Sequence, residues 1–161
     1  MGKKSWLIFS MCALGMGFMS KVRQDTALLR MERLKGQGRP RFAHGHAYKD
    51  IADTLYEAEI RRQYIEQCGD AMRYFEGEVH IELQFSRPLP KKAPKKSDGK
   101  PDTSKPDIDN MCKSVLDALS GVAWRDDAQV TVLNAEKAPR RKLSGNLILV
   151  NITYWKEDED A

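Results

Sequence analysis

EVHIELQFS, residues 78–86, alternates without a break: Val79, Ile81, Leu83 and Phe85 fall on one side, His80, Glu82 and Gln84 on the other. A period of two with apolar residues on one side only marks a β-strand with one buried face. Two later stretches also read as strands. Gln129 to Lys137 sets Val130 and Val132 on a common face, and Asn146 to Tyr154 carries Leu147, Leu149 and apolar neighbours almost continuously, which predicts burial on both faces. Helical spacing appears elsewhere. Ile51, Leu55, Ala58, Tyr64 and Ile65 recur with charges between them until Gly69 stops the pattern. A second helix opens at Asp107, after Pro106, and runs through Met111, Val115, Leu116 and Leu119 to Gly121, with Trp124 to Asp127 as a turn beyond it. The expected fold is α/β in the α+β sense: a small mixed sheet of three to four strands packed with two main helices.

The chain is 161 residues long, 41% hydrophobic and 31% charged, which suits one soluble domain with a modest core. Cys12, Cys68 and Cys112 form no close pairs, against a disulfide framework or a zinc ribbon. Residues 1–34 stand apart as an atypical leader. Lys3 and Lys4 precede an apolar run from Trp6 to Met19 that resembles a secretory signal, but Phe18 sits where cleavage wants a small residue. The run is also short of the ~20 apolar residues of a membrane helix. Ser20 to Leu34 reads as a helix or as no regular element. The working domain is expected over residues 35–155, in the cytoplasm and without stable membrane association; export or tethering through residues 1–20 is the alternative.

The net charge of +4 hides an uneven distribution. Arg87 to Lys105 holds seven basic residues against Asp98 and Asp102, and Arg87 to Pro106 holds five of the seven prolines, which predicts a mobile basic loop over 87–106. Lys91, Lys92, Lys95, Lys96 and Lys105 are its candidate polyanion contacts; a solvating linker is the plain alternative. The glycine-rich stretch from Lys35 to Tyr48, with Arg39 and Arg41 between aromatics, suits a loop approaching a phosphate backbone or an ordinary surface loop. His44 and His46 have no Cys or carboxylate nearby to complete a metal site. Residues 156–161 form an acidic tail.

Acidic residues gather around the second helix. Asp107 and Asp109 stand at its start, where one cap would suffice, and Lys113 and Asp117 follow at intervals of four on the same face. An ion-pair ladder explains that spacing at a few tenths of a kcal/mol per pair. It does not explain Asp126 and Asp127 at the mouth of the next strand. Carboxylates brought together repel unless a cation sits between them, and hard oxygen ligands without Cys or His suit Mg²⁺ or Mn²⁺. Such a site beside basic loops points to metal-dependent phosphoryl chemistry.

KPDIDN (105–110), Lys113, LDAL (116–119), Gly121, Val122 and WRDDAQV (124–130) together resemble the signature of the RusA family of Holliday-junction resolvases, and GRPRF (38–42) with HAY (46–48) is similar to that family's N-terminal loop. The resemblance implies a small nuclease, often phage- or prophage-borne, that works as a homodimer with Mg²⁺ or Mn²⁺ and makes paired symmetric nicks in four-way DNA junctions. It implies that Asp107, Asp109 and Asp127 bind metal and that Lys113 positions the scissile phosphate, with Asp117 and Asp126 in supporting roles. Lys35, Arg39, Arg41, Lys91, Lys92, Lys95, Lys96 and Lys105 are then the expected DNA contacts. A catalytically silent module that holds branched DNA is the alternative. The chain departs from the family in lacking a legible first strand before the Arg39–Arg41 loop.

Overall fold

The computed structural model describes residues 19–38, 41–43, 46–48, 50–69, 75–94, 97–142 and 145–157. Its elements in chain order are β1 (Met19–Met31), β2 (Arg41–Ala43), β3 (His46–Tyr48), α1 (Ile51–Cys68), β4 (Glu78–Ser86), α2 (Ile108–Leu119), β5 (Val130–Lys137) and β6 (Asn146–Glu157). Strands β1, β6, β4 and β5 form one sheet in that order, while β2 and β3 make a small separate hairpin. Strand β6 runs antiparallel to both of its neighbours, and β4 and β5 are parallel, joined by a crossover that contains α2. The mixed four-stranded sheet with two helices is the expected α+β fold.

One face of this sheet makes the core. Val79, Ile81, Leu83 and Phe85 of β4 and Ile148, Val150, Ile152 and Tyr154 of β6 are buried with Ile60 and Tyr64 of α1 and Met111, Val115, Ala118 and Leu119 of α2. Each large apolar side chain so buried contributes about 1.5–3 kcal/mol. The β4 alternation therefore reads true. The β6 reading does not: Leu147, Leu149, Asn151, Thr153 and Trp155 on its other face stay partly exposed, because no second layer covers that side among the described residues.

The larger correction lies at the N-terminus, where residues 19–31, read as a helix or as no regular element in a leader apart from the working domain, form a long strand. Strand β1 pairs with β6 from Met19↔Glu157 to Met31↔Asn146 and contributes buried Ala27, Leu29 and Met31 to the core. Its pattern is hard to read because Asp25 points inward and Leu28 outward. Asp25 is 6% exposed and is bound by Arg23 Nε at 2.5 Å and by Tyr64 Oη at 2.8 Å. That carboxylate is satisfied, and the tyrosines it meets are pushed above their usual pKa, chiefly by burial. The signal-like residues 1–18 lie outside the described residues.

Helix α1 also differs from its sequence pattern. Ile51, Leu55, Ala58 and Ile65 are exposed, and the buried side is Asp53, Ile60, Gln63 and Tyr64. This side is partly polar because it meets the free edge of β1. Gln63 accepts from Arg30 N at 2.7 Å and donates to Arg30 O at 2.8 Å, and Gln67, one turn on, does the same with Leu28 at 2.9 and 3.2 Å. Two side-chain amides thus replace a neighbouring strand and cover backbone groups that an open edge would expose.

Leu29→Ala is expected to cost about 2–5 kcal/mol by opening a cavity in the core, and Leu28→Ala, at an exposed position of the same strand, less than about 1 kcal/mol. Equal effects in denaturant titrations would remove β1 from the fold.

Candidate functional site

The acidic corner is built where α2 begins. Asp107 is its N-cap residue with extended backbone, yet its side chain makes no capping hydrogen bond. Asp109 lies in the first turn, where a negative charge complements the helix dipole. Met111, Cys112, Ser114, Val115, Ala118 and Leu119 form the buried side of the helix, which leaves Asp107, Asp109 and Lys113 exposed on the other. None of these three side chains makes a hydrogen bond or ion pair with another described residue, so the ladder from Asp109 to Lys113 does not form. Asp117 is engaged by the Gln37 side chain instead.

Two sets of contacts fix the backbone of this corner. On one side the segment 35–38 crosses the helix start: Gln37 N donates to Asn110 O at 2.9 Å, and Gly36 lies so close that a Cβ there would stand 2.9 Å from Asn110 Cβ and 3.1 Å from Pro106 Cβ. Only glycine leaves room for that approach. The segment is held in turn by Lys35, whose Nζ sits 2.5 Å from the buried carboxylate of Asp53. Lys35, expected to meet DNA, is therefore spent on an internal ion pair.

On the other side, Arg87, Lys137 and Arg140 converge on residues 102–106. Arg87 Nε donates to Asp102 Oδ2 at 2.6 Å, Arg140 Nε lies 3.0 Å from Asp102 Oδ1, and Ser104 Oγ donates to the same oxygen at 2.7 Å. Arg87 also donates to the carbonyls of Ser104 and Lys105 at 2.9 and 2.7 Å, and Lys137 Nζ donates to those of Ser104 and Pro106. Burial alone would raise the Asp102 pKa, but the hydrogen bonds from Arg87, Ser104 and Arg140 outweigh it and hold the carboxyl below its usual range. The loop 87–106, expected to be mobile, is tied down over these residues. It is also joined to the turn after β5, since Gly99 N donates to Arg140 O, Arg140 N to Lys100 O and Leu89 N to Arg141 O at 2.8–3.0 Å. Exposed Lys91, Lys92, Lys100, Arg141 and Lys142 thus lie on two loops that the backbone joins. Lys105 is exposed beside Asp107. Arg39, Lys95 and Lys96 lie outside the described residues, and of Arg41 only the backbone, in β2, is described.

Asp127 stands apart. Gly121, at φ +76°, ends α2 and turns the chain to Trp124, whose fully buried indole donates from Nε1 to Asp127 Oδ1 at 2.9 Å. Asp126 caps the short 3₁₀ turn at 127–129 by accepting from Ala128 N at 2.8 Å. Asp127 lies just before β5, whereas Lys137 at the far end of β5 reaches Pro106. The ten residues from Asp109 to Leu119 rise about 15 Å along the helix. The structure thus leaves Asp107, Asp109 and Lys113 exposed around the start of α2 and places Asp127 at the opposite end of the helix. Among the described residues no three Asp, Glu, His or Cys side chains converge on a point that could hold a metal. Asp107, Asp109 and Asp127 of one chain therefore do not meet around a single ion.

Sequence reasoning missed Arg87, Asp102, Lys137, Arg140 and Trp124 as parts of this site. Asp102 offered a signal, as one of two acids in a stretch of seven bases.

Comparison with known proteins bears directly on this corner. Residues 33–153 match the family described as endodeoxyribonuclease RusA. The chain belongs to the RusA endodeoxyribonuclease family. A Bacillus subtilis (strain 168) relative, "Uncharacterized protein YqaN", is 31% identical over 112 residues, covering 63% of this chain and 78% of YqaN. As a RusA family member the chain carries the family's association with endonuclease action on branched DNA, and its acidic corner, Trp124 and Asp127 all fall inside the matched region. Strand β1 lies before it. No helix among the described residues is long and apolar enough to cross a membrane.

Asp102→Asn should destabilise the fold by about 2–3 kcal/mol at neutral pH. A depressed folded-state pKa gives stability that is complete above the unfolded value near 3.9 and lost as pH falls toward the folded value. The deficit of Asp102→Asn should therefore be constant down to about pH 5 and shrink below about pH 4. Denaturant melts across that range would expose the error if the gap instead closed near neutrality.

Proposed function

We propose that this RusA family member is a metal-dependent, structure-selective endonuclease that resolves four-way DNA junctions by paired symmetric nicks, as a homodimer in the cytoplasm. The observation that carries this reading is the exposed, uncommitted group of Asp107, Asp109 and Lys113 on the first turns of α2, held by a rigid surround beside joined basic loops. Charged side chains that serve structure are ordinarily paired, as Asp25, Asp53 and Asp102 are here. Two carboxylates left free at a helix start are suited to a cation, and the free ammonium of Lys113 to a phosphate.

The donor set of carboxylate oxygens suits Mg²⁺, with Mn²⁺ as substitute. Asp107 and Asp109 supply two carboxylates at one place, and a second copy supplies the third. Strand β5 is an edge of the sheet. A copy paired along it in two-fold symmetry runs antiparallel, so the start of one β5 lies beside the end of the other. Asp127 of the partner subunit then approaches Asp107 and Asp109, and the dimer holds two such sites for two strands of a junction. The ion would lower the pKa of an attacking water and offset charge on the phosphate. Lys113 would donate to a phosphate oxygen, Trp124 would orient Asp127, and Lys91, Lys92, Lys105, Arg141 and Lys142, with Arg39, Arg41, Lys95 and Lys96, would hold the backbone of the arms.

Asp109→Asn and Asp127→Asn homodimers should each lose junction cleavage by at least about a hundredfold. Mixed dimers of the two variants carry one site with both changes and one with neither, so they should regain nicking of one strand per junction. Co-purified, differently tagged chains test this with a synthetic four-way junction, a linear duplex control, and Mg²⁺, Mn²⁺ or EDTA. Absence of any recovery would place the site within one chain, and tight junction binding without cleavage by the unaltered protein would favour the silent binding module.

Junction affinity should fall steeply with salt, and replacing Lys91, Lys92, Arg141 and Lys142 by Ala should flatten the log–log slope by up to about one unit for each phosphate no longer neutralised. An unchanged slope would make the two loops mere linkers.

A further inference from the structure

Arg87, Lys137 and Arg140 look at first like further DNA contacts, because they are cations next to the acidic corner. Each already makes at least two bonds within the chain. Arg87 is 12% exposed and divides its guanidinium between Asp102 and the carbonyls of Ser104 and Lys105; Lys137 bonds the carbonyls of Ser104 and Pro106; Arg140 pairs with Asp102 and donates to Ser104 Oγ at 2.7 Å. Three consecutive carbonyls, Ser104, Lys105 and Pro106, thus accept from cationic side chains in the residues that lead directly into Asp107. Asp102, 8% exposed, sits among them and brings the two arginines together.

The geometry points to Asp102, with Arg87, Arg140 and Lys137, as a positioning clamp for the nuclease site, an inference that rests on the function proposed above. The clamp works on backbone: it fixes the 104–107 segment without using the carboxylates of Asp107 and Asp109, which stay free for substrate and ion. It also spans three parts of the chain, since Arg87 directly follows β4, Lys137 ends β5 and Arg140 belongs to the turn that pairs with residues 99–100. A phosphate backbone resting on Lys100, Arg141 and Lys142 therefore meets Asp107 and Asp109 at a separation that the clamp sets. Charge-assisted bonds to a buried carboxylate suit that task, because they are short and directional. Arg87 in particular uses the fork of its guanidinium, which lysine cannot reproduce.

The clamp and a direct DNA contact make opposite predictions for two variants. Asp102→Asn removes a negative charge and loosens two arginines, so a DNA-contact role predicts tighter junction binding with cleavage intact. A clamp predicts binding that is unchanged or tighter, a single-turnover cleavage rate at saturating junction lowered at least about tenfold, and a raised Mg²⁺ concentration for half-maximal rate. Arg87→Lys keeps the charge and loses the fork; it should lower the rate in the same way and leave the salt slope of junction binding unaltered. Amide hydrogen exchange without DNA or metal gives a readout independent of activity: in both variants exchange in 104–110 should speed up by more than that of β4 and β6, whose protection should fall only as far as the global stability does. Wild-type cleavage rates in both variants, or a reduced salt slope in Arg87→Lys, would overturn the clamp. If the unaltered protein cuts no branched DNA, the nuclease reading fails by itself, and exchange over 104–110 still decides whether the clamp holds this corner.

Discussion

The structure depends on burial of a single face of one four-stranded sheet. Ile148, Val150, Ile152 and Tyr154 of β6 and Val79, Ile81, Leu83 and Phe85 of β4 supply the centre of that face, and the helices must cover it. Everything polar is then pushed to three places: the uncovered face, the strand ends, and the few inward positions where a partner waits. Asp25 takes such a position under Tyr64 and Tyr154, and Asp102 takes one between two arginines. Both are buried carboxylates with their hydrogen bonds made, as burial requires.

Because α2 lies over the covered face, its own sequence has to serve two ends. The side carrying Met111, Val115 and Leu119 is committed to the core, which fixes the helix in rotation and sends Asp107, Asp109 and Lys113 outward together. The start of the helix is fixed by other means. Its capping residue does not cap, and the backbone just before it is held by Arg87 and Lys137 from the ends of the parallel pair β4 and β5. A carboxylate relieved of capping costs some helix stability, about 1 kcal/mol at an ordinary N-terminus, and cations on the preceding carbonyls fix that backbone in its place. This is the arrangement expected where a charge is kept for something outside the chain.

Legibility in the sequence followed the length and regularity of each signal. Strand β4 and helix α2 were readable to within a residue or two, since each buries one continuous side of clean periodicity. Strand β1 was not, because Asp25 occupies a core position and Leu28 a surface one, so the alternation breaks where the tyrosine-bound carboxylate sits. Helix α1 showed a helical rhythm with the wrong side inward: its contact with β1 is made by Gln63 and Gln67 on backbone groups, and amides carry no hydrophobic signal. The acidic residues of the site stood out by spacing and by family resemblance, whereas Asp102 was masked by the bases around it.

By itself the sequence determined the fold class, the sidedness of β4 and α2, the family, and the gathering of carboxylates and bases around residues 105–130, all properties of short-range periodicity and local composition. Only the tertiary structure decided which charges are free. Lys35 and Asp53, Arg87 and Asp102, and Gln37 and Asp117 are separated by 15 to 80 residues, so their pairing exists only once tertiary packing has brought those distant segments together. The same holds for Asp127, which is near Asp109 in sequence but is set at the other end of α2 by the rise of a helix that runs back along β5.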